Sequence, residues 1–181
     1  ISPASVTMPR AEVRTTANGV KVYRLDANEF EVVRFTLVFR AGSSMQHKSF
    51  AASATANMLG EGSTHLTAQQ IAEELDFYGS YFDVNIDRDY AYISFCSLKK
   101  FFEPTIAVAR EIILHPAFPE HEFKIYCSKR KQSLTIERKK VDMQSRELFS
   151  EALFGKEHPY GKSSDETLYD ELTTDDLRHT Y

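Results

Sequence analysis

The sequence predicts an α+β domain, an antiparallel sheet with helices packed on it. Three observations carry that expectation. Segments with a two-residue apolar repeat come in two groups, one near the start and one around residue 90. Segments with helical apolar spacing follow each group. The order never settles into the strand, helix, strand rhythm of a parallel sheet.

Val13 to Arg24 reads as two short strands about Asn18-Gly19, a dipeptide that favours hairpin turns, and Val33, Phe35, Leu37 and Phe39 alternate along a third. Phe50 to Leu59 is rich in Ala and reads as a helix stopped by Gly60 and Gly62. Thr67 is placed to cap a second helix, Ala68 to Tyr78, which Gly79 closes. Tyr81 to Ile86 and Tyr90 to Cys96 alternate again around Asp87-Arg88-Asp89, a second hairpin. Phe101 to Leu114 has helical spacing and ends at His115-Pro116, and Pro119 starts a charged helix expected to run to Phe154. Leu172 to Tyr181 opens with an N-cap-like Thr and breaks off as a helix begins, so residues 1–181 are expected to be one domain without an internal boundary, truncated at its carboxyl end.

Composition narrows the function. With 42% hydrophobic and 27% charged residues the chain has the balance of a globular protein that buries a core. A net charge of −4, with Lys and Arg dispersed among Asp and Glu, gives neither a nucleic-acid footprint nor a polybasic membrane patch. No apolar run approaches the ~18 residues of a membrane span. The opening Ile1-Ser2-Pro3-Ala4-Ser5 has no Met and no signal-peptide core, as a chain whose leader had been removed would not. Cys96 and Cys127 stand in apolar contexts without a CxxC spacing and read as buried thiols.

Taken in order, several segments resemble the pitrilysin, insulinase and mitochondrial-processing-peptidase family, the inverted zincins. Asn18-Gly19-Val20-Lys21-Val22 is similar to the family's opening strand, Phe39-Arg40-Ala41-Gly42-Ser43-Ser44 to the strand end before its active-site helix, and Met58-Leu59-Gly60-Glu61-Gly62-Ser63 to the exit of that helix. Gly79 to Asp83 with Asp89 to Tyr92 resembles its strand pair. Ala152-Leu153-Phe154-Gly155 with His158-Pro159-Tyr160-Gly161 resembles the turn after its long helix. The resemblance implies the half-unit of a metallopeptidase fold of the LuxS and processing-peptidase kind.

It also locates the family's zinc site. His-x-x-Glu-His places two imidazoles on one helix face, with a Glu between them to deprotonate the metal-bound water. Alignment on Met58-Leu59 puts Ser53 and Asn57 where the two histidines belong and Ala56 where the Glu belongs; the distal Glu ligand falls at about Ser133. No histidine lies between His47 and His65, so no shift of register restores the motif. A hydroxyl and an amide do not replace two imidazoles and a carboxylate, so no catalytic residue, metal or other cofactor is expected here, whereas active relatives hold zinc. Glu137, one turn past Ser133, is a single carboxylate and reads as a solvated helix charge.

The remaining candidates are weaker. The six histidines, at 47, 65, 115, 121, 158 and 179, form no His-x-x-x-His pair, and prolines keep His115 and His121 off a shared helix face. His158 reads as a turn residue. There is no Gly-x-Ser-x-Gly elbow and no phosphate-binding loop. Tyr78, Tyr81, Phe82, Tyr90, Tyr92 and Phe95 form an aromatic set that reads first as sheet core and second as a grip on peptide. Lys129-Arg130-Lys131 and Arg138-Lys139-Lys140 read as the wet face of the long helix.

The expectation is a non-catalytic partner that binds peptide or scaffolds an active family subunit, or a second half-unit of its own chain, as the family's clamshell architecture implies. Two alternatives stand beside it: a structural core subunit of a larger assembly, and an active zinc metallopeptidase whose site is rearranged or completed by a partner. Family relatives occur in bacterial envelopes, cytoplasm and organelles, and of these the bacterial envelope or periplasm is the expectation.

Overall fold

A computed structural model describes residues 9–26, 29–163 and 165–181, so the Ile1–Ser5 opening lies outside the described residues. The chain divides into two compact units, Ile1–Glu31 and Val32–Tyr181. In the first, strands β1 (Glu12–Thr15) and β2 (Lys21–Arg24) pair antiparallel, with Glu12 opposite Arg24 and Thr15 opposite Lys21. Gly19 takes the left-handed φ of 87° that the turn needs, and the Val20 amide donates to the Thr16 hydroxyl at 3.0 Å.

The second unit is built on β3 (Val32–Phe39), β4 (Tyr81–Ile86) and β5 (Ala91–Leu98), antiparallel in the order β3-β5-β4. Registers of Phe35 against Phe95 and Phe82 against Phe95 put one set of alternate side chains toward the helices. The helices are α1 (Ala51–Met58), α2 (Ala68–Phe77), α3 (Phe102–Leu114), α4 (Glu120–Glu137), α5 (Val141–Phe154) and α6 (Thr174–Thr180). Met58, Leu59, Ile71, Phe95, Ile112 and Leu177, all at most 2% exposed, form the centre of the core between sheet and helices. On the other face Arg34, Thr36, Asp83 and Asn85 are exposed, and Thr36 and Ser94 share a 2.9 Å hydrogen bond across the sheet.

The expected caps are present. The Thr67 hydroxyl accepts from the Gln70 amide while the Gln70 side chain accepts from the Thr67 amide, a reciprocal box at the start of α2. Thr173 and Asp176 make the same box on α6. Gly79, at φ 58°, ends α2 as expected.

The long helix expected from Pro119 to Phe154 is instead two, α4 and α5, with a break at Arg138–Lys140. Lys140 turns to extended backbone, and the Gln144 amide side chain donates to the Arg138 carbonyl at 2.9 Å, supplying an orphaned acceptor. The Arg138 guanidinium lies 3.2 Å from Asp165 and 3.3 Å from Glu166, contacts that fix the chain at the break. No Gly or Pro marks the place, so charged residues 137–140 read as continuous helix. Among the described residues no helix is long and apolar enough to cross a membrane.

Candidate functional site

Five of the eight α1 residues are buried apolar side chains, Ala51, Ala52, Ala54, Ala56 and Met58. Small side chains let the helix lie close under the sheet, with Thr55 also buried and near the Leu177 carbonyl of α6. Ser53 and Asn57 remain, one turn apart, half-buried and exposed respectively. Both side chains turn back on their own helix: the Ser53 hydroxyl donates to the Phe50 carbonyl at 3.0 Å and the Asn57 amide to the Ser53 carbonyl at 2.7 Å. Ala56, 6% exposed, offers no polar atom.

Ser133 and Glu137 lie on α4, half-buried and one turn apart, and α4 packs against α1. The same α4 stripe carries Tyr126 and Arg130. The buried Tyr126 hydroxyl lacks a hydrogen-bond partner among the described residues, and burial pushes its pKa well above the usual tyrosine range despite the nearby Ser53. Phe50 stacks on Tyr169 with centroids 4.1 Å apart and planes at 5°, and Tyr126 meets Tyr169 edge-on at 6.5 Å. Phe50 pays for that stack with a left-handed φ of 67° at the N-cap of α1. This aromatic wall beside Ser53 escaped the sequence reading, because nothing local in the sequence links residue 169 to residues 50 and 126.

The donor chemistry at the assigned positions does not suit zinc. One hydroxyl and one amide are committed to backbone carbonyls, the third position is an alanine, and Ser133 adds another hydroxyl. Among the described residues no group of three or more His, Cys, Asp or Glu is arranged to hold a metal ion.

Two clefts flank α1. One, of 310 Å³, lies between the Ser43–Phe50 segment and the turn at Glu157, Pro159 and Lys162, with Ser53 in its wall. The other, of 450 Å³, runs between Asn57, Glu61 and α2 on one side and Ser80 with residues 81–84 of β4 on the other. Among the described residues β4 pairs with β5 alone, which leaves its outer edge open.

The histidines sort differently in space than in sequence. The chain after α3 bridges back to residues 62–64, the Thr64 amide donating to the His115 carbonyl at 2.8 Å, so His115 meets His65 rather than His121, ring centroids 5.2 Å apart. Between them Glu111 accepts from Ser63 at 2.6 Å and is 2.8 Å from His65 Nδ1, and these bonds hold its carboxyl below the usual range. His47 stands 3.4 Å from Asp176 and 4.6 Å, ring to ring, from His179. Burial pushes Asp176 up, but hydrogen bonds from Thr173, Lys48 and His47 prevail and hold it low. His158 accepts from the Tyr160 amide at 3.1 Å and stacks on Phe154, in keeping with a turn residue.

The aromatic set divides between the two faces of the sheet rather than forming one core. Phe82 and Phe95 pack inward at 5.1 Å, whereas Tyr81 and Tyr90 are exposed. Both cysteines are free, Cys96 buried and Cys127 half-buried, with burial raising the Cys127 thiol to about 11. Lys129, Arg130, Lys139 and Lys140 are exposed, as expected of a wet face, whereas Lys131 and Arg138 are half-buried and paired with Asp170 and with Asp165 and Glu166.

No family model matches the sequence, and no curated protein matches it. Solved structures do. The peptidase M16 inactive domain from Pseudomonas fluorescens superposes with a TM-score of 0.87 at 24% identity, over 94% of this chain and 42% of that one. The periplasmic protease PqqL from Escherichia coli gives 0.76 at 17% identity over 99% and 20%, and a protease from Helicobacter pylori 0.72 at 14% over 96% and 43%. The ferredoxin protease FusC, solved with Arabidopsis ferredoxin, gives 0.72 at 15% over 98% and 21%. The chain spans less than half the length of each of these proteins. An antiparallel sheet with helices on one face, in this order and over nearly the whole chain, is the fold of the M16 peptidases, and this chain has it.

Proposed function

We propose that the chain is a non-catalytic peptidase-fold half that binds an extended peptide and works beside a catalytic family subunit or a second half-unit of its own chain. The observation that carries this reading is the α1 face. Ser53 and Asn57 stand one turn apart where the resemblance expects imidazoles, each satisfied by its own helix, and Ala56 stands where it expects the general base. Likeness to a domain described as inactive supports the same reading. So does FusC, a relative in fold that was solved with a protein bound.

The open edge of β4 supplies the grip. An extended segment added there gains backbone hydrogen bonds along the strand, with side chains alternating into the 450 Å³ cleft and out of it. A partner has a surface to meet: α5 buries no residue and exposes Val141, Leu148, Phe149 and Leu153, a broad apolar stripe. That stripe equally favours the second reading, a structural subunit held in an assembly without peptide affinity.

The test is zinc content of the full-length protein by elemental analysis, beside peptide cleavage with and without a chelator. Zinc well below one per chain and no chelator-sensitive cleavage is the expected result. One tightly bound zinc per chain with such cleavage would overturn the proposal in favour of a rearranged active site.

A further inference from the structure

We infer that the β4–β5 turn is a clamp on the 310 Å³ cleft beside Ser53, in which Arg88 and Asp89 set how far the two walls stand apart. The inference concerns the cleft itself and does not depend on the peptide-binding reading.

The turn has a fixed shape of its own. β4 ends at Ile86 and β5 begins at Ala91, so residues 87–90 close the hairpin. The Asp87 carboxylate accepts from the Asp89 and Tyr90 amides, each at 2.7 Å, and the Asp87 amide donates to the Tyr90 carbonyl at 3.0 Å. Arg88 and Asp89 stand at the tip that these bonds define.

Both walls of the cleft hang on that tip. The first wall is the Ser43–Phe50 segment, whose root is tied to the turn by the Gly42, Ser43 and Ser44 amides, donating to the Asp89, Asp87 and Arg88 carbonyls. The Ser44 hydroxyl also donates to Asp89 Oδ1 at 3.3 Å. The second wall is formed by Glu157, Pro159 and Lys162. Between them the Tyr160 hydroxyl donates to the same Asp89 oxygen at 2.5 Å. Arg88 donates to the Ser150 hydroxyl at 2.8 Å and lies over the Phe154 and Tyr160 rings, 5.8 and 5.0 Å from their centroids. The Gly161 and Lys162 amides donate to the His158 carbonyl at 2.9 and 3.0 Å, so the residues around Tyr160 move with it. Arg88, Asp89 and Tyr160 do not line the cleft, and they act on it only as positioning residues, through the walls. The contacts to the second wall are exposed and individually weak, which makes this the side on which the clamp opens.

Tyr160→Phe removes one hydroxyl from the second wall and leaves the first wall chemically unchanged. Amide hydrogen exchange on the full-length protein reads the consequence. Walls that are independent give faster exchange within residues 156–162 alone. A clamp also gives exchange roughly threefold to tenfold faster at Ser43 and Ser44, across the cleft, with α2 unchanged. Asp89→Ala, which deletes the acceptor shared by both walls, has the same two effects. Access is measured by introducing Ser53→Cys and alkylating with iodoacetamide, followed by peptide mass spectrometry so that Cys96 and Cys127 are counted apart. The thiol at position 53 is expected to react several-fold faster when combined with Tyr160→Phe or Asp89→Ala, and Cys127 at its original rate. Exchange confined to residues 156–162, or no change in labelling at position 53, overturns the clamp. Faster exchange that includes α2 also overturns it, because the fold has then loosened as a whole.

Discussion

Gly42 lies where the chain leaves β3 and turns toward α1, and substituting Ala there tests how this turn is held. A Cβ at Gly42 would stand 2.4 Å from the Asp89 nitrogen and 2.5 Å from the Arg88 carbonyl carbon and oxygen. All three atoms are backbone of the β4–β5 hairpin turn and cannot swing aside as a side chain does. The two segments must part, and three hydrogen bonds bind them: the Gly42, Ser43 and Ser44 amides donate to the Asp89, Asp87 and Arg88 carbonyls at 3.1, 3.0 and 2.7 Å. At a net contribution near 1 kcal/mol each, their loss or distortion predicts a destabilisation of about 2–4 kcal/mol for Gly42→Ala. Gly79→Ala is the control, since at φ 58° it meets nothing within 4 Å and costs only the left-handed conformation, about 1 kcal/mol. Urea unfolding of the two variants measures the difference, and amide exchange at Ser43 and Ser44 reports whether the hairpin has let go. A cost for Gly42→Ala no greater than for Gly79→Ala, with exchange unchanged, would refute the reasoning.

Other perturbations isolate single contacts. Thr67→Ala removes the reciprocal cap of α2 and is expected to cost about 1 kcal/mol in urea unfolding, with Thr67→Ser restoring most of it. Tyr126→Phe deletes a buried hydroxyl without a partner and is expected to leave stability within about 0.5 kcal/mol or raise it; a clear loss would mean that the hydroxyl bonds Ser53 or Tyr169 in solution. Glu111, held low by Ser63 and His65, stabilises the folded chain above the unfolded carboxylate pKa of about 4.3, and that contribution is lost as pH falls through its lower folded value. Glu111→Gln therefore flattens the acid limb of the stability profile, and an acid limb unchanged in the variant would count against the Glu111 staple.

What could be read in the sequence was what chemistry writes locally. Thr67 with Gln70, Thr173 with Asp176, Gly19 and Gly79 each declare a cap or turn within four residues. The alternations at Val33 to Phe39 and Tyr81 to Ile86 declare strands. The break at Arg138 had no such signature, because its cause is Asp165 and Glu166, more than twenty-five residues on. The same distance hid the Phe50–Tyr169 stack and the His65–His115 contact. Ser53 and Asn57 could be located on one helix face because four-residue spacing is a local property, but the aromatic wall beside them could not.

On the proposed reading, binding and chemistry sit on different residues of the same cleft region, and that separation is testable. Two imidazoles and a carboxylate crowded on a half-buried helix face depend on a metal to offset their desolvation and repulsion. Ser53 and Asn57 need no such partner, since each bonds a carbonyl of its own helix, and Ala56 simply joins the core, so α1 is stable without anything bound. The strand edge lies along β4, across the cleft from Asn57 and away from Ser53, which faces the separate cleft on the other side of the helix. Ser53→Ala is therefore expected to change peptide affinity by less than about twofold, while N-methylation of the peptide backbone, which removes donors to the strand edge, lowers it several-fold. A loss at Ser53 as large as that from N-methylation would put the peptide over the position that zinc occupies in active relatives, and the edge of β4 would no longer be its seat.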